Sequence, residues 1–237
     1  MNNKTYLKTL IICFALGILA DGLNAQGTFV NLDFEGALVP DTPPGSNGGG
    51  VSASIALPGW VAIPGEFGQV FHNVTLLGSP SIVLYGPNWN QSDIFQGKYT
   101  VLLASAFSNS GSALAQTGQI PANAQAMLFY ARVFNMQVSF AGNSLPFSRL
   151  GSGPNYDIFG VDVTALHGMT GELRFTALPL EGGGVGGVRL DNIQFSNQPI
   201  PEPSVFGLFA LGAVLLGWRY LRGRLFSRSC LKSNPKP

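Results

Sequence analysis

The central part of this sequence has very little cysteine, histidine or lysine. The chain of 237 residues contains two Cys and two His, and both Cys lie near the ends, at Cys13 and Cys230. Residues 26–200 therefore cannot form disulfides, hold a Cys-based zinc ion or carry a Cys nucleophile. Neither His72 nor His167 lies in an HExxH-type pattern, and this argues against metal-dependent hydrolysis.

Charge is also scarce, and the net charge of +1 conceals an uneven distribution. Residues 26–200 carry ten acidic and five basic side chains, which gives −5, whereas residues 201–237 carry one acidic and six basic side chains, which gives +5. An acidic body with Lys98 as its only lysine is unsuited to nucleic-acid binding. The body also lacks a Gly-x-Ser-x-Gly motif, a Walker-type phosphate loop and any pattern that selects two carboxylates for acid–base catalysis. We therefore predict no catalytic residue and no enzymatic activity.

The amino terminus has the organisation of a secretory signal peptide. Lys4 and Lys8 precede an uncharged apolar run of 11 residues at 10–20, and Ala25 supplies a small residue before a cleavage site. The apolar run is too short to span a bilayer comfortably. We predict a signal peptide over residues 1–25. The alternative is an uncleaved anchor, and either one exports the body.

The carboxyl terminus contains a second apolar run between two distinct flanks. The motif Pro201-Glu202-Pro203 comes first, residues 205–218 then carry no charge, and a basic cluster follows. The cluster includes Arg219, Arg222 and Arg224. Because Arg can snorkel towards the interface, we predict a transmembrane helix over residues 204–221 with its basic end in the cytoplasm. A buried core helix is the alternative.

This order of a Pro-Glu-Pro motif, a short apolar helix and a terminal Arg cluster resembles the PEP-CTERM sorting signal. The resemblance implies that an exosortase, a membrane-bound Cys-dependent transpeptidase, recognises the motif in segment 200–237 and cleaves near it. The chain is then expected to be exported, anchored in the membrane through its carboxyl-terminal helix, and moved to the cell surface or extracellular matrix of a bacterial envelope. The sequence departs from the usual signal because it runs 13 residues beyond Arg224.

Residues 26–199 form one predicted domain with the pattern of an all-β protein. No stretch keeps a 3.6-residue apolar period, and short β-rich runs alternate with clusters of Gly, Pro, Asn and Ser. Roughly nine strands are expected in a single antiparallel β-sandwich. The predicted strands are Thr28–Phe34, Ser81–Tyr85, Lys98–Ala104, Ala113–Thr117, Ala126–Val133, Gln137–Phe140, Tyr156–Val163, Glu172–Ala177 and Val188–Phe195. A change of phase at Asp191 and Asn192 indicates a β-bulge, and Thr164 is expected to cap a short helical turn.

Four short motifs resemble those of galactose-binding-like jelly-roll modules, which include carbohydrate-binding domains and secreted domains associated with plant cell walls. The motifs are Asn31–Gly36, Leu57–Trp60, Gly97–Val101 and Leu190–Ile193. The resemblance covers nearly the whole body and implies a jelly-roll fold. Similar secreted modules often hold one structural calcium ion near the chain ends.

Asp33, Glu35 and Asp191 are the candidate ligands of such a calcium ion. Asp33 and Glu35 lie on the predicted first strand and Asp191 on the last, and these strands are often neighbours in sandwiches of this kind. Carboxylate oxygens are ligands that Ca²⁺ prefers. The alternative is that Glu35 and Asp191 face solvent or pair with Arg189.

Trp89 is the best candidate for a sugar-binding platform. It lies in the polar segment 87–91, where a Trp either presents its ring to a ligand or folds back as a lid. Tyr85 is the second candidate, and with Tyr130 and Arg132 it would line one face of a sheet. Packing in the protein is the alternative for each of these side chains.

Three functions are consistent with these features. The main hypothesis is an exported cell-surface or matrix protein with a non-enzymatic body, sorted by an exosortase. The alternative is a carbohydrate-binding module for matrix polysaccharide, and a second alternative is a secreted glycan hydrolase whose carboxylates lie in no recognisable motif. The expected partners are the exosortase, the membrane before processing, and extracellular polysaccharide. Apart from structural calcium, no cofactor is expected.

Overall fold

Short apolar runs separated by turn-forming residues fold here as β-strands, because period-two alternation gives each run one inward and one outward side. A computed structural model describes residues 27–40, 50–63, 69–74, 79–106, 111–182, 184 and 186–200. Within those residues there are thirteen strands, a single four-residue α-helix, α1 (Ala53–Ala56), and two 3-10 turns at Gln91–Asp93 and Thr164–Leu166.

The strands are numbered in chain order. They are β1 (Val51–Ser52), β2 (Val61–Ile63), β3 (Gln69–His72), β4 (Ser81–Tyr85), β5 (Thr100–Ala104), β6 (Ala113–Gln119), β7 (Ala126–Val133), β8 (Met136–Phe140), β9 (Asn143–Leu145), β10 (Ser148–Ser152), β11 (Asp157–Asp162), β12 (Thr170–Ala177) and β13 (Gly187–Ser196).

The described strands form two sheets. The larger sheet has eight strands in the order β1-β3-β4-β5-β13-β7-β11-β10, and the smaller sheet has five in the order β2-β6-β12-β8-β9. Neighbouring strands are antiparallel except β3 and β4, which are parallel. The sequence-based prediction of an all-β protein with two packed sheets is therefore confirmed.

The inner faces of the two sheets enclose the main hydrophobic core. Phe129 on β7 and Phe175 on β12 are fully buried, and their rings meet edge to face with centroids 5.4 Å apart. Trp60 joins this core at 4% exposure, and its indole N–H donates to the backbone carbonyl of Asn31. The opposite sides of the strands form an outer face on each sheet.

Several local predictions are confirmed. The strands Ser81–Tyr85 and Ala126–Val133 have the predicted bounds. The register between β13 and β7 shifts between Asp191 and Gln194, and Asn192 has a φ of +47°. The predicted β-bulge is therefore present, and it lies where the apolar pattern of β13 changes phase.

Two other local predictions are wrong. The segment Thr28–Phe34 is a series of turns and not a strand, because Asn31 and Phe34 have φ values of 52° and 60°, which no extended ladder accommodates. The second 3-10 turn has Val163 as its N-cap. Thr164 is the first residue of that turn and not its cap.

Several predicted features lie outside the described residues. They are the signal peptide over residues 1–25, the sorting motif Pro201, Glu202 and Pro203, the helix over residues 204–221, and the flanking residues Arg219, Arg222 and Arg224. Among the described residues, no helix combines the length and the apolar character needed to cross a bilayer.

Candidate functional site

The outer face of the larger sheet carries aromatic and basic side chains. It is turned away from the smaller sheet, and period-two alternation places on it Tyr85 of β4, Arg189 of β13, and Tyr130 and Arg132 of β7. Apolar contacts around Tyr85 form a second cluster that is separate from the main core. This concentration of aromatic and basic groups makes the face the candidate site.

Trp89 is held over this face by a network with three other side chains, those of Tyr85, Asp93 and Arg189. Its ring stacks on Tyr85, with centroids 4.8 Å apart and planes 9° apart. The Trp89 indole N–H donates to Oδ2 of Asp93 at 3.0 Å, and Oδ1 of Asp93 pairs with Arg189 at 3.2 Å. The Arg189 guanidinium lies 5.9 Å from the Tyr85 ring centroid, a cation–π distance. The ring of Trp89 is therefore fixed in orientation while remaining half-buried.

Tyr85 has a supporting position in this arrangement. Its side chain is only 1% exposed, because Trp89 covers it. The two candidates predicted from the sequence, Trp89 and Tyr85, are thus brought together. Trp89 is the one that reaches the surface, and Tyr85 forms the floor beneath it.

A second aromatic pair lies on the other side of Arg189. Tyr130 and Tyr156 stack with centroids 4.2 Å apart and planes 12° apart, and both are half-buried. Burial, followed by the neighbouring Tyr130, raises the pKa of Tyr156 above its usual value. Phe95 packs against Tyr156 at 5.5 Å.

The register of the sheet fixes the distance between the two pairs. Tyr85 lies opposite Thr100, the Thr100 hydroxyl donates to Asp191 at 2.7 Å, and Asp191 lies opposite Tyr130. These four residues therefore form one row across β4, β5, β13 and β7. Three strand intervals separate Tyr85 from Tyr130, which corresponds to roughly 14 Å. The two stacked pairs are close enough to contact one oligomeric ligand.

Asp191 is a buried carboxylate in the middle of that row. Its Oδ2 accepts from the Gln96 N–H at 3.0 Å and from the Thr100 hydroxyl, and its Oδ1 accepts from the Asn192 N–H at 2.7 Å. Burial, and to a smaller extent the charge of Glu35, raise the pKa of Asp191 from 3.8 to about 7, against the lowering effect of these hydrogen bonds. The free carboxylate is therefore disfavoured at this position unless a cation is bound.

Glu35 is the second carboxylate near Asp191. Its Oε1 accepts from the backbone N–H groups of Lys98 and Tyr99 at 2.7 and 3.1 Å. Gly97 is required beside it, because a Cβ at that position would overlap the Glu35 carboxylate. The loop that follows residue 96 is thus folded around two acidic side chains from distant parts of the sequence.

The donor set fits calcium in its chemistry. Glu35, Asp191 and the hydroxyl of Thr100 are oxygen donors of the kind that Ca²⁺ binds. Asp33 instead accepts the Glu35 N–H within its own loop at 3.3 Å, and among the described residues no three His, Cys, Asp or Glu side chains lie together closely enough to hold a metal. The calcium prediction remains a prediction, with two of its three residues brought together. Arg189 forms its ion pair with Asp93 and not with Glu35 or Asp191.

The outer face of the smaller sheet has a different character. Its aligned positions on β6, β12 and β8 carry mainly small or polar side chains, such as Ala115 and Ser139. Arg174 on β12 is in register with Ala115 on one side and with Ser139 on the other. Its guanidinium forms an ion pair with Glu172 at 2.8 Å. This face offers no aromatic platform among those positions.

A shallow pocket lies at the edge of the smaller sheet. It has a volume of about 430 Å³ and is lined by residues that include Val138, Leu145, Phe147 and Leu178. None of its lining residues is charged. It is an alternative location for a ligand and supplies a control position for experiments.

Sequence reasoning missed two contributors to the candidate site. Asp93 orients both Trp89 and Arg189, and Tyr156 completes the second stacked pair. The contact between Trp89 and Asp93 could have been predicted, because the two residues are only four positions apart in the sequence. The contact between Tyr130 and Tyr156 could not, because these residues are distant in sequence and meet only through the pairing of β11 with β7.

The geometry thus defines an all-β sandwich with an aromatic and basic outer face. No family model and no curated protein sequence matches the chain. Among solved structures it is similar to TmCBM61 in complex with β-1,4-galactotriose, with a TM-score of 0.42 and 14% sequence identity over 73% of this chain and 100% of that chain. The galactotriose is a ligand of that module.

Proposed function

We propose that the body is a non-catalytic polysaccharide-binding module of jelly-roll type, carried by an exported protein. The observation that supports this most is the pair of stacked aromatic groups, Tyr85–Trp89 and Tyr130–Tyr156, at 4.8 and 4.2 Å on one solvent-facing sheet surface. The main sequence-based hypothesis, an exported surface or matrix protein with a non-enzymatic body, assigns no role to such a surface.

Half-exposed aromatic rings suit sugars because a pyranose ring has an apolar C–H face and a polar hydroxyl rim. An aromatic side chain offers a large flat contact area, and Tyr adds a hydroxyl that can hydrogen-bond. Trp89 is already oriented by Tyr85 and Asp93, so little conformational entropy is lost when a ligand binds. The face is therefore preorganised for stacking.

The carboxylates that come together support a binding role over hydrolysis. Glu35 accepts two backbone N–H groups, and Asp191 accepts three hydrogen bonds while fully buried. A catalytic pair in a glycosidase needs one proton donor and one base or nucleophile that both reach the substrate. The oxygens of this pair serve the fold instead.

The experiment is a binding comparison with two aromatic variants. The full chain, purified in mild detergent, is tested by affinity electrophoresis and calorimetry against a panel of neutral and acidic polysaccharides. Trp89→Ala should lower affinity at least tenfold, because aromatic stacking on a ligand contributes on the order of 1.5 kcal/mol. Phe147→Ala is the control in the pocket of the smaller sheet, and its Tm is measured alongside because the Phe147 ring also packs on Phe129 and Phe159. Loss of binding in Phe147→Ala alone, at a temperature where that variant is folded, would place the site in that pocket and overturn the proposal.

Export and sorting belong to the same proposal and are supported by the terminal sequences. We expect cleavage after the signal peptide and, through an exosortase, near Pro201–Pro203, so that the body reaches the cell surface or matrix. Intact-mass measurement of the protein from envelope and culture fractions reports both ends of the mature chain. Glu202→Ala should block the second cleavage. A variant that is cleaved at the same position as the wild type would contradict recognition of the motif.

A further inference from the structure

Arg132 differs from the other arginines in the described part of the chain. The other three are each paired with a carboxylate: Arg149 with Asp157 at 2.8 Å, Arg174 with Glu172 at 2.8 Å, and Arg189 with Asp93 at 3.2 Å. Arg132 is exposed, and none of the described acidic side chains forms an ion pair with it. Its guanidinium is therefore available to an external anion.

The position of Arg132 is unfavourable for the stability of the sheet. It lies directly opposite Arg189 in the pairing of β7 with β13, and like charges at directly opposed positions destabilise a sheet. Asp93 pairs with Arg189 and offsets its charge, whereas no described carboxylate does the same for Arg132. An anionic ligand at Arg132 would supply that missing partner, and an unpaired charge of this kind is expected where a local rule is broken for function.

Aromatic side chains flank Arg132 along its own strand. Tyr130 lies two residues before it on the same face and is stacked on Tyr156. Phe134 follows β7, its N–H continues the ladder by donating to the Gly187 carbonyl at 3.3 Å, and its side chain is 68% exposed. Alternation places Tyr130 and Arg132 on one face with Cα atoms roughly 6.7 Å apart, and Phe134 lies in the bend that directly follows the strand.

A cation between two aromatic groups fits a sugar that bears a carboxylate. The planar guanidinium fork matches the two oxygens of a carboxylate and can bind both at once. The aromatic groups on each side supply contact for the sugar rings. The body has a net charge of −5, so its overall field repels an acidic polymer and binding would depend on the local contact at Arg132.

We propose that the outer face of the larger sheet binds polysaccharides that carry carboxylate groups, such as polyuronates, and that Arg132 binds the carboxylate. This inference rests on the proposed polysaccharide-binding function and adds the substrate class to it. Arg132 is the residue that distinguishes an acidic sugar from its neutral counterpart, whereas Trp89 serves both.

The test uses two polymers that differ only in charge. The full chain in mild detergent is titrated with polygalacturonate and with carboxyl-reduced polygalacturonate, and a sulfated galactan forms a third arm. The wild type should prefer the polyuronate to its reduced form by about three- to fivefold, the effect of one ion pair at an exposed site. A sulfated galactan should bind more weakly than the polyuronate, and equal or tighter binding of it would overturn the assignment to carboxylates.

Matched variants separate a specific contact from bulk charge. Arg132→Gln should remove the preference for polygalacturonate and leave binding of the reduced polymer unchanged. Arg174→Gln makes the same change of charge on the smaller sheet and should leave both affinities unchanged. An equal loss in the two variants would overturn the inference. Arg132→Lys keeps the charge but not the fork, and it should restore only part of the preference.

The outcomes also separate this inference from the function on which it rests. Trp89-dependent binding of both polymers with equal affinity would overturn the role of Arg132 and leave polysaccharide binding intact. Absence of binding to all three polymers would overturn both. The polyuronate should also raise the Tm of the wild type more than that of Arg132→Gln, because a ligand that binds the folded protein more tightly stabilises it more.

Discussion

The two faces of the larger sheet differ in what their side chains do. On β7, Phe129 points inward and is fully buried against Phe147, Phe159 and Phe175. The next residue, Tyr130, points outward, and among the described rings it meets only Tyr156. One side of β7 thus contributes to the core, and its other side contributes to the proposed binding surface.

Phe129→Ala should have the largest effect. The change leaves a cavity between the sheets where three other aromatic rings now touch the Phe129 ring, and core Phe→Ala changes cost about 3–5 kcal/mol. Urea denaturation followed by tryptophan fluorescence measures the loss. A cost below about 1 kcal/mol would mean that the inner face is not the main source of stability.

The pH dependence of the metal-free protein should come next in size. The Asp191 carboxyl ionises near pH 3.8 when unfolded and near pH 7 when folded, so its contribution to stability is complete below pH 4 and is lost as the pH rises to 7. This difference in pKa between the folded and unfolded states changes the free energy of unfolding by at most about 4 kcal/mol. Denaturation in EDTA at several pH values measures the slope, and Asp191→Asn should remove it. A wild-type stability that rises between pH 5 and 7 would contradict the shifted pKa.

Calcium should reverse that loss at neutral pH if Glu35 and Asp191 bind it. A cation favours the ionised carboxylates, and a ligand at about a hundred times its Kd stabilises the folded state by about 2.7 kcal/mol. The Tm is compared in EDTA and in millimolar CaCl₂, with MgCl₂ as the control. Glu35→Gln should abolish the calcium effect, and an identical Tm in all buffers would remove the calcium site from the account.

Tyr130→Ala should change stability least. It removes one half-exposed ring from a stacked pair, and such pairs contribute about 0.5–1.5 kcal/mol beyond area burial. The same variant should lower polysaccharide affinity clearly. The urea midpoint and the polysaccharide affinity are measured for Tyr130→Ala and for Phe129→Ala. If stability and binding are divided between the two faces, Phe129→Ala lowers mainly the midpoint and Tyr130→Ala lowers mainly the affinity.

The sequence predicts most of the sandwich because most of its strands are β-rich apolar runs. Ser81–Tyr85 and Ala126–Val133 are two such runs, and both have the predicted bounds. The short edge strands β9 and β10 are absent from the prediction because they are mostly exposed and carry little apolar signal. The segment at Thr28–Phe34 alternates like a strand, but its backbone hydrogen-bonds to the side chains of the distant residues Trp60 and Gln116.

The candidate site is predictable only in part, since its side chains meet through tertiary pairing. Trp89 stands out locally as a Trp in a polar segment. Its floor, Tyr85, is also near in sequence, but the positions of Arg189 and Tyr156 depend on the order β4-β5-β13-β7-β11. No propensity or spacing rule in a single sequence gives that order. That no described carboxylate pairs with Arg132 likewise becomes visible only when its strand neighbours are known.

Hydrogen–deuterium exchange of the full chain, with and without excess polygalacturonate, shows which face of the sandwich binds the polymer. We expect slower exchange in peptides that cover residues 85–97, 128–134 and 154–158, which contribute to the outer face of the larger sheet. Peptides that cover residues 113–119, 137–145 and 170–177 should exchange at unchanged rates. Protection confined to this second set, on the smaller sheet, would contradict the account.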